Sequence, residues 1–380
     1  MTFERLMHAA RAATAALALP VALLGAPGAA AAESLVYGSW LPEAEYTNRV
    51  ALPQAFAEIA QQSDVRWRLV PGGQLVGPVD TWDAIESGLV QGGMGIASYV
   101  PSLVPTLNVL YQTVLPGTET LAASGAALET LMLDCPECLA ELRDLGIVPL
   151  AGWATSPYYL GCTRPVAQVG DLAGLRVRAV GGNVRLMEAA GAVPVAATLV
   201  EAVTLLQTGG VDCVFGVANW YRSFGYADFL THHTDYPMGM TGPATGWLMN
   251  RAAWLSLSDA ERRLHLRKAA QVSAQQALGQ FVREEHAALG WAEAEQGMQI
   301  VAPADTAEFG ALMVRFVSEQ DTAVIGAAKA QGVAHPARII ATYRANFRRW
   351  KELTADTETI EALTALYWER IFSRIDPDAL

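Results

Sequence analysis

Lysine is nearly missing from this chain of 380 residues: of 26 basic side chains only Lys268, Lys329 and Lys351 are lysines. No Gly-Lys-Ser/Thr phosphate loop can be assembled from them. Positive charge is scarce altogether, with 26 Lys+Arg against 38 Asp+Glu and a net charge of −12. That balance excludes a general nucleic-acid or anionic-membrane surface. Cysteine is limited to four residues, too few for a disulfide-dense miniprotein. Charged residues make up only 17% against 52% hydrophobic, which excludes a disordered chain. No HExxH, GxSxG or Ser-His-Asp spacing occurs, so no nucleophile or general base can be nominated for an enzyme. Gly92-Gly-Met-Gly95 lacks the dinucleotide-binding pattern. His232-His233 with Asp235 lacks a third well-spaced metal ligand and reads as a solvated loop. Neither a metal nor a cofactor is expected.

Long apolar runs are absent too. The one near the start, Ala12 to Gly25, is too short to span a bilayer and follows Arg5 and Arg11. With the small residues Ala30-Ala-Ala32 behind it, the pattern predicts a signal peptide over residues 1–32, cleaved near Ala32. Its loss removes two arginines and one glutamate and leaves the chain one charge more negative. The expectation is an exported, periplasmic protein. In an oxidising compartment four cysteines suggest two disulfides. Cys135-Pro-Glu-Cys138 reads as a local structural bridge, and Cys162 and Cys213, in one predicted lobe, as the second. Sequence alone permits three pairings. Cys135 and Cys138 also support a rival of another class, a periplasmic thiol oxidoreductase. The surrounding βαβ pattern and proline partner which that reading needs are not found.

What is present is a recurring strand, helix, strand grammar. Leu35-Val-Tyr37 reads as a strand, followed by a helix from about Asn48 with Val50, Pro53, Phe56 and Ile59 on one face. Val65, Trp67 and Leu69 alternate with Arg66 and Arg68 as a half-buried strand. Trp82, Ile85 and Leu89 share a helix face that Gly92-Gly93 ends, and Met94 to Ala97 reads as the next strand. A helical segment is expected over Leu121 to Leu142. Gly174 to Ala179 is a strand, and Gly181-Gly-Asn183 opens a helix ended by Gly191. Thr198 to Glu201 and Ser258 to Glu261 are capping boxes. The second starts a long helix from Asp259 to about Gln296. Alternating units of this kind imply α/β lobes with mostly parallel sheets.

Arg178 is the sharpest functional candidate. It stands at the C-terminal end of a parallel strand, the edge where α/β sheets bind ligands. The Gly181 helix start beyond it could add backbone donors, so that both converge on one carboxylate. Arg176 is expected on the opposite strand face and in solvent. Trp40, Tyr99, Trp153, Tyr158, Trp220 and Tyr221 fall at strand ends or loops and could bury an apolar ligand body. Were Glu43 or Glu45 to face them, a cationic ligand would fit the same aromatic box.

Four segments occur in order: Val70-Pro-Gly-Gly-Gln-Leu75, Asp171-Leu-Ala-Gly-Leu-Arg-Val-Arg178, Gly191-Ala-Val-Pro194 and Glu201-Ala-Val-Thr-Leu-Leu-Gln-Thr-Gly-Gly-Val-Asp212. With Trp247-Leu-Met-Asn-Arg-Ala-Ala-Trp254, they make the chain resemble the substrate-binding subunits of tripartite ATP-independent periplasmic (TRAP) transporters. The resemblance, of dicarboxylate-binding-protein type, covers roughly Leu35 to Gly332. It implies a two-lobe periplasmic-binding-protein fold (type II-like), with hinge strands and a long lobe-spanning helix. It further implies closure over one small organic acid and delivery to membrane permease subunits driven by an ion gradient. Arg178 matches the family's carboxylate-pairing arginine. The family's Gly-Gln-Glu-Asn-Pro run is replaced here by Cys213-Val-Phe-Gly-Val217, so its asparagine is missing; Asn219 is near but out of register. The stretch before Arg164-Pro165 is aromatic where relatives place a second cation. A monocarboxylate with an apolar or aromatic body is therefore expected, held by Arg178, Trp40, Tyr99, Trp153, Tyr158, Phe215, Asn219 and Trp220. The expected division is an N-terminal lobe (33–153 with 243–285), a C-terminal lobe (154–242 with 286–337) and a helical extension (338–380). Ile360, Leu363, Tyr367 and Ile371 of that extension fall on one helix face, to pack on its own lobe or to form a dimer. A receptor serving an ABC importer or a sensor, with a neutral or cationic ligand, is the rival within the binding class.

Overall fold

The computed structural model describes residues 34–380. The expected signal peptide lies outside them. The chain lays down β1 (Ser34–Gly38), β2 (Arg66–Val70), β3 (Gly92–Gly95) and β4 (Ile147–Trp153) in one sheet. It then crosses to a second sheet for β5 (Tyr159–Cys162), β6 (Arg176–Arg178), β7 (Val193–Val195), β8 (Cys213–Gly216) and β9 (His232–Thr234). β10 (Ala244–Asn250) returns to the first sheet, and β11 (Gln299–Val301) closes the second. The strand orders are β2-β1-β3-β10-β4 and β11-β9-β5-β8-β6-β7.

Both sheets are mixed, with parallel pairs, β11 with β9 among them, slightly outnumbering the antiparallel ones. β1 pairs parallel with β2 and β3, and β6 with β7 and β8. β10 runs antiparallel to β3 and β4, and β5 antiparallel to β8 and β9. The βα grammar accounts for the first group, because parallel neighbours need a crossover helix. β5 and β10 instead arrive directly from the other sheet over short connections with no helix, and that is why the alternation missed their direction.

Local chemistry explains where the expected elements shift. β3 begins at Gly92, where the sequence suggested a helix end. A Cβ at Gly92 would meet the rings of Trp67 and Tyr37 at 3.0 Å, and one at Gly95 the Trp82 ring at 2.3 Å. The glycines thus let three aromatic rings lie across the strand. The preceding helix is only Thr81–Glu86, so Leu89 lies beyond it and is exposed. The segment from Leu121 is broken: Thr120–Glu129 runs through a widened turn to Asp134, and Pro136–Asp144 starts afresh at Cys135. Both capping boxes form, Thr198 with Glu201 and Ser258 with Glu261.

The long helix is continuous in the chain from Asp259–Ala274 through Gln275–Glu284 to Glu285–Gln296, but its middle ten residues are π-helical. Such widened turns recur at functional sites. The C-terminal helices pack on the first sheet's side. Trp350 of Pro336–Leu353 lies against Gly125, and its Nε1 donates to Glu129 (2.6 Å). Leu363 and Tyr367 of Ile360–Arg370 are buried, with the Tyr367 and Trp350 rings 5.5 Å apart. Among the described residues no helix is long and apolar enough to cross a membrane.

Candidate functional site

Arg176 and Arg178 stand two residues apart on β6, so alternation gives them one face and Val177 the other, against the expectation of opposite faces; they differ in place along the strand, Arg176 at its exposed start and Arg178 at its buried end. Arg176 pairs with Asp212 in solvent at 2.8 Å. Arg178 is fully buried. Its Nε donates to the Ala197 carbonyl (2.8 Å) and its Nη2 to the Tyr99 hydroxyl (3.2 Å), while Nη1 is buried with no partner among the described residues. The guanidinium lies 5.7 Å from the Trp220 ring centre. Burial opposes its charge, but the hydroxyls of Tyr99, Tyr226, Tyr158 and Tyr111 more than offset this, so its pKa is raised. The charge is permanent, and one of its donors is unspent.

Arg178 lines a small, narrow cavity together with Tyr99, Trp153, Tyr158 and Trp220. Tyr99 and Trp153 come from the ends of β3 and β4 in one sheet. Trp220 follows β8 in the other, and Tyr158 precedes β5. The remaining candidates stand elsewhere. Trp40 lies behind Tyr99 with ring centres 6.1 Å apart, and its Nε1 donates to Met94 (2.9 Å). Phe215 backs Tyr158 at 5.4 Å. Asn219 lines an adjoining groove with Arg49, Arg222 and Glu284. Tyr221 packs away from the cavity, its hydroxyl 2.8 Å from Nδ1 of His233. His233 is buried in β9 rather than in a solvated loop, and burial lowers its pKa to about 4. Among the described residues no three His, Cys, Asp or Glu side chains come together to hold a metal ion.

The helix start at Gly181 does not face the cavity. Gly181 has φ +61°, and a Cβ on Gly182 would stand 2.3 Å from the Gln112 carbonyl oxygen, so these glycines serve close packing. The backbone donor at the site is instead Leu199 N–H, which reaches the Tyr99 hydroxyl at 3.2 Å. It opens the helix Leu199–Gln207, whose start the Thr198–Glu201 capping box marks in the sequence.

Several lining residues escaped the sequence reading: Tyr111, Gln280 and Phe281. Glu45 had entered it only conditionally. It lines the same cavity, is buried, and accepts from the Thr47 N–H (3.3 Å) and the Gln280 amide (2.5 Å). Burial pushes its carboxyl up to about 7. Glu285, one turn further along the helix, accepts from the Ala218 and Asn219 N–H groups (2.6 and 2.8 Å), and burial likewise raises it to about 7. The spacing of Gln280 and Glu285 on the polar long helix was the available signal, but nothing local tied it to Glu45. Cys135 bonds Cys138, and Cys162 bonds Cys213 across the paired strands β5 and β8.

A buried, partly unsatisfied guanidinium thus stands in an aromatic cavity between the two sheets. Residues 44–321 match the DctP family model, bacterial extracellular solute-binding protein family 7, and the chain belongs to that family. It is a TRAP solute-binding protein, of a family of receptors rather than enzymes. Among similar solved structures is a marine metagenome TRAP protein specific for aromatic acids, in complex with metahydroxyphenylacetate. It has 20% identity and TM-score 0.73, over 83% of this chain and 99% of that one. A Rhodoferax ferrireducens protein with copurified benzoate gives 20% and 0.72, over 85% and 99%. One from Bordetella bronchiseptica with bound mandelate gives 26% and 0.68, over 83% and 99%.

Proposed function

We propose that this protein is an exported receptor that captures a small monocarboxylate with an aromatic or apolar body and delivers it to the permease subunits of a TRAP transporter. Arg178 receives the carboxylate. The observation that carries this reading is its buried Nη1, a charged donor with no partner on the cavity wall. An uncompensated buried charge is costly, and an anionic ligand removes the cost. Tyr99, Trp153, Tyr158 and Trp220 enclose the remainder, consistent with the benzoate and mandelate held by structural neighbours. A ligand touching both sheets binds the closed arrangement better than an open one, so closure is a population shift. Cleavage of the signal peptide near Ala32 would release the mature chain into the periplasm. The 33–153/243–285 and 154–242/286–337 division describes the two moving lobes, with 338–380 carried on the first.

Calorimetric titration with benzoate and mandelate tests the reading. Arg178→Ala should weaken binding by roughly 2–5 kcal/mol, as for loss of a desolvated charge pair. Arg178→Lys, which keeps the charge and loses the planar fork, should fall between. Affinity unchanged in both variants, with intact melting curves, would remove Arg178 from the site.

A further inference from the structure

The cavity has a second polar end, and it is acidic. Glu45 enters from the loop after β1, whereas Arg178 enters at the end of β6, so the two charges line one cavity from different sheets. Among the described residues Glu45 has no basic partner; the charge that bears on it is that of Glu284, of like sign. It accepts from the Thr47 N–H and the Gln280 amide nitrogen, and the Tyr46 backbone also bears on it. Committing that nitrogen to Glu45 turns the Gln280 carbonyl oxygen away, and this Oε1 is buried with no partner. An unspent donor at Arg178 thus stands against unspent acceptor capacity at Glu45 and Gln280, with aromatic walls between.

We propose that Glu45 and Gln280 read a hydrogen-bond donor on the ligand away from its carboxylate, so that the preferred ligand is a hydroxy- or amino-substituted acid rather than a plain one. A plain acid would satisfy Arg178 and leave the Gln280 Oε1 buried without a partner, at its full desolvation penalty. Sites built around such groups reject analogues that lack the matching hydroxyl or N–H far more strongly than apolar pockets reject an extra methylene. A hydroxyl suits Glu45 in either protonation state, whereas an ammonium suits the ionised form and makes the ligand a zwitterion. The inference rests on Arg178 receiving the carboxylate.

The test is a matched calorimetric panel: benzoate, 3-hydroxybenzoate and 3-(aminomethyl)benzoate, with phenylacetate and its meta-hydroxy and meta-aminomethyl analogues. The wild-type protein should bind at least one donor-bearing acid about tenfold or more tightly than its plain parent. In Glu45→Leu that ratio should collapse toward one. Glu45→Gln separates the two donors: a preference for hydroxyl survives it, and a preference for ammonium is lost. Melting curves of both variants confirm that they fold. Equal binding of plain and substituted acids by the wild type, or an unchanged ratio in Glu45→Leu, overturns the proposal while leaving Arg178 in its role. Binding of none of the six, or binding indifferent to Arg178→Ala, overturns the carboxylate assignment and this inference with it.

Discussion

The Tyr99 hydroxyl accepts a hydrogen bond from Arg178 Nη2 at 3.2 Å across the gap between the two sheets. The same oxygen accepts the Leu199 N–H at 3.2 Å. One phenol from the β3 side therefore collects the side-chain and the backbone donor that the second sheet presents to the cavity. It holds the guanidinium in place and links the two sides at the ligand position.

Tyr99→Phe keeps the ring against Trp40 and deletes that link. The bond from the charged Arg178 contributes about 1.5–3 kcal/mol, so ligand affinity should fall roughly ten- to a hundredfold. The change should appear mainly in the dissociation rate, since closure is what the bond supports. Melting temperature should barely move, because the hydroxyl lies between the two halves rather than inside either core. Stopped-flow tryptophan fluorescence measures the rate. Tighter binding in the variant would show instead that the hydroxyl competes with the ligand for Arg178.

Glu285 ties the long helix to the start of the helix Asn219–Ser223 and is buried without a cation. Its carboxyl titrates near 7 in the folded chain against an ordinary 4.5. The folded state therefore holds the proton more tightly, and this residue's contribution to stability is complete below about pH 4.5. It falls as pH rises through 7 and is level above. Glu285→Gln carries no such titration; its one amide oxygen replaces only one of the two acceptors, a loss that is the same at every pH. The stability of wild type minus variant should drop by roughly 2–3 kcal/mol between pH 4.5 and 7.5. Urea denaturation at a series of pH values measures it. Glu45, His233 and His265 titrate in both proteins and cancel in the difference. A flat difference would mean that Glu285 is ionised in the fold at all these pH values.

Much of this was legible in the sequence where the cause is local. Arg178 stood out because a strand end and the turn that follows it are read over a few residues, and the two capping boxes likewise. The aromatic lining was half legible: Trp153, Tyr158 and Trp220 follow from strand ends, but the same rule also picked Trp40, which turns back to donate to Met94. Glu45 and Gln280 meet across 235 positions, and no local pattern encodes that meeting. The π-helical stretch that carries Gln280 has the composition of any polar helix, since the extra residue per turn is imposed by packing. Gly181-Gly182 misled because tight packing and anion cradling both call for glycine.

Gly216, the last residue of β8, is another glycine whose reason is a neighbour. A Cβ there would lie 2.2 Å from Cζ3 of Trp220, so the indole reaches its place over Arg178 only because the side chain is missing. Gly216→Ala must push the ring off the strand and into the cavity, or move the strand. Overpacking of this kind costs about 1–3 kcal/mol. We expect a loss of stability in that range together with weaker ligand binding, because the displaced ring narrows the cavity and abandons its contact with the guanidinium. The pairing of the two effects is diagnostic. Trp220→Leu in the Gly216→Ala background should restore stability by removing the clash without restoring affinity, as read by urea denaturation and calorimetry on the same samples. Recovery of both would mean that the Trp220 ring adds nothing to binding.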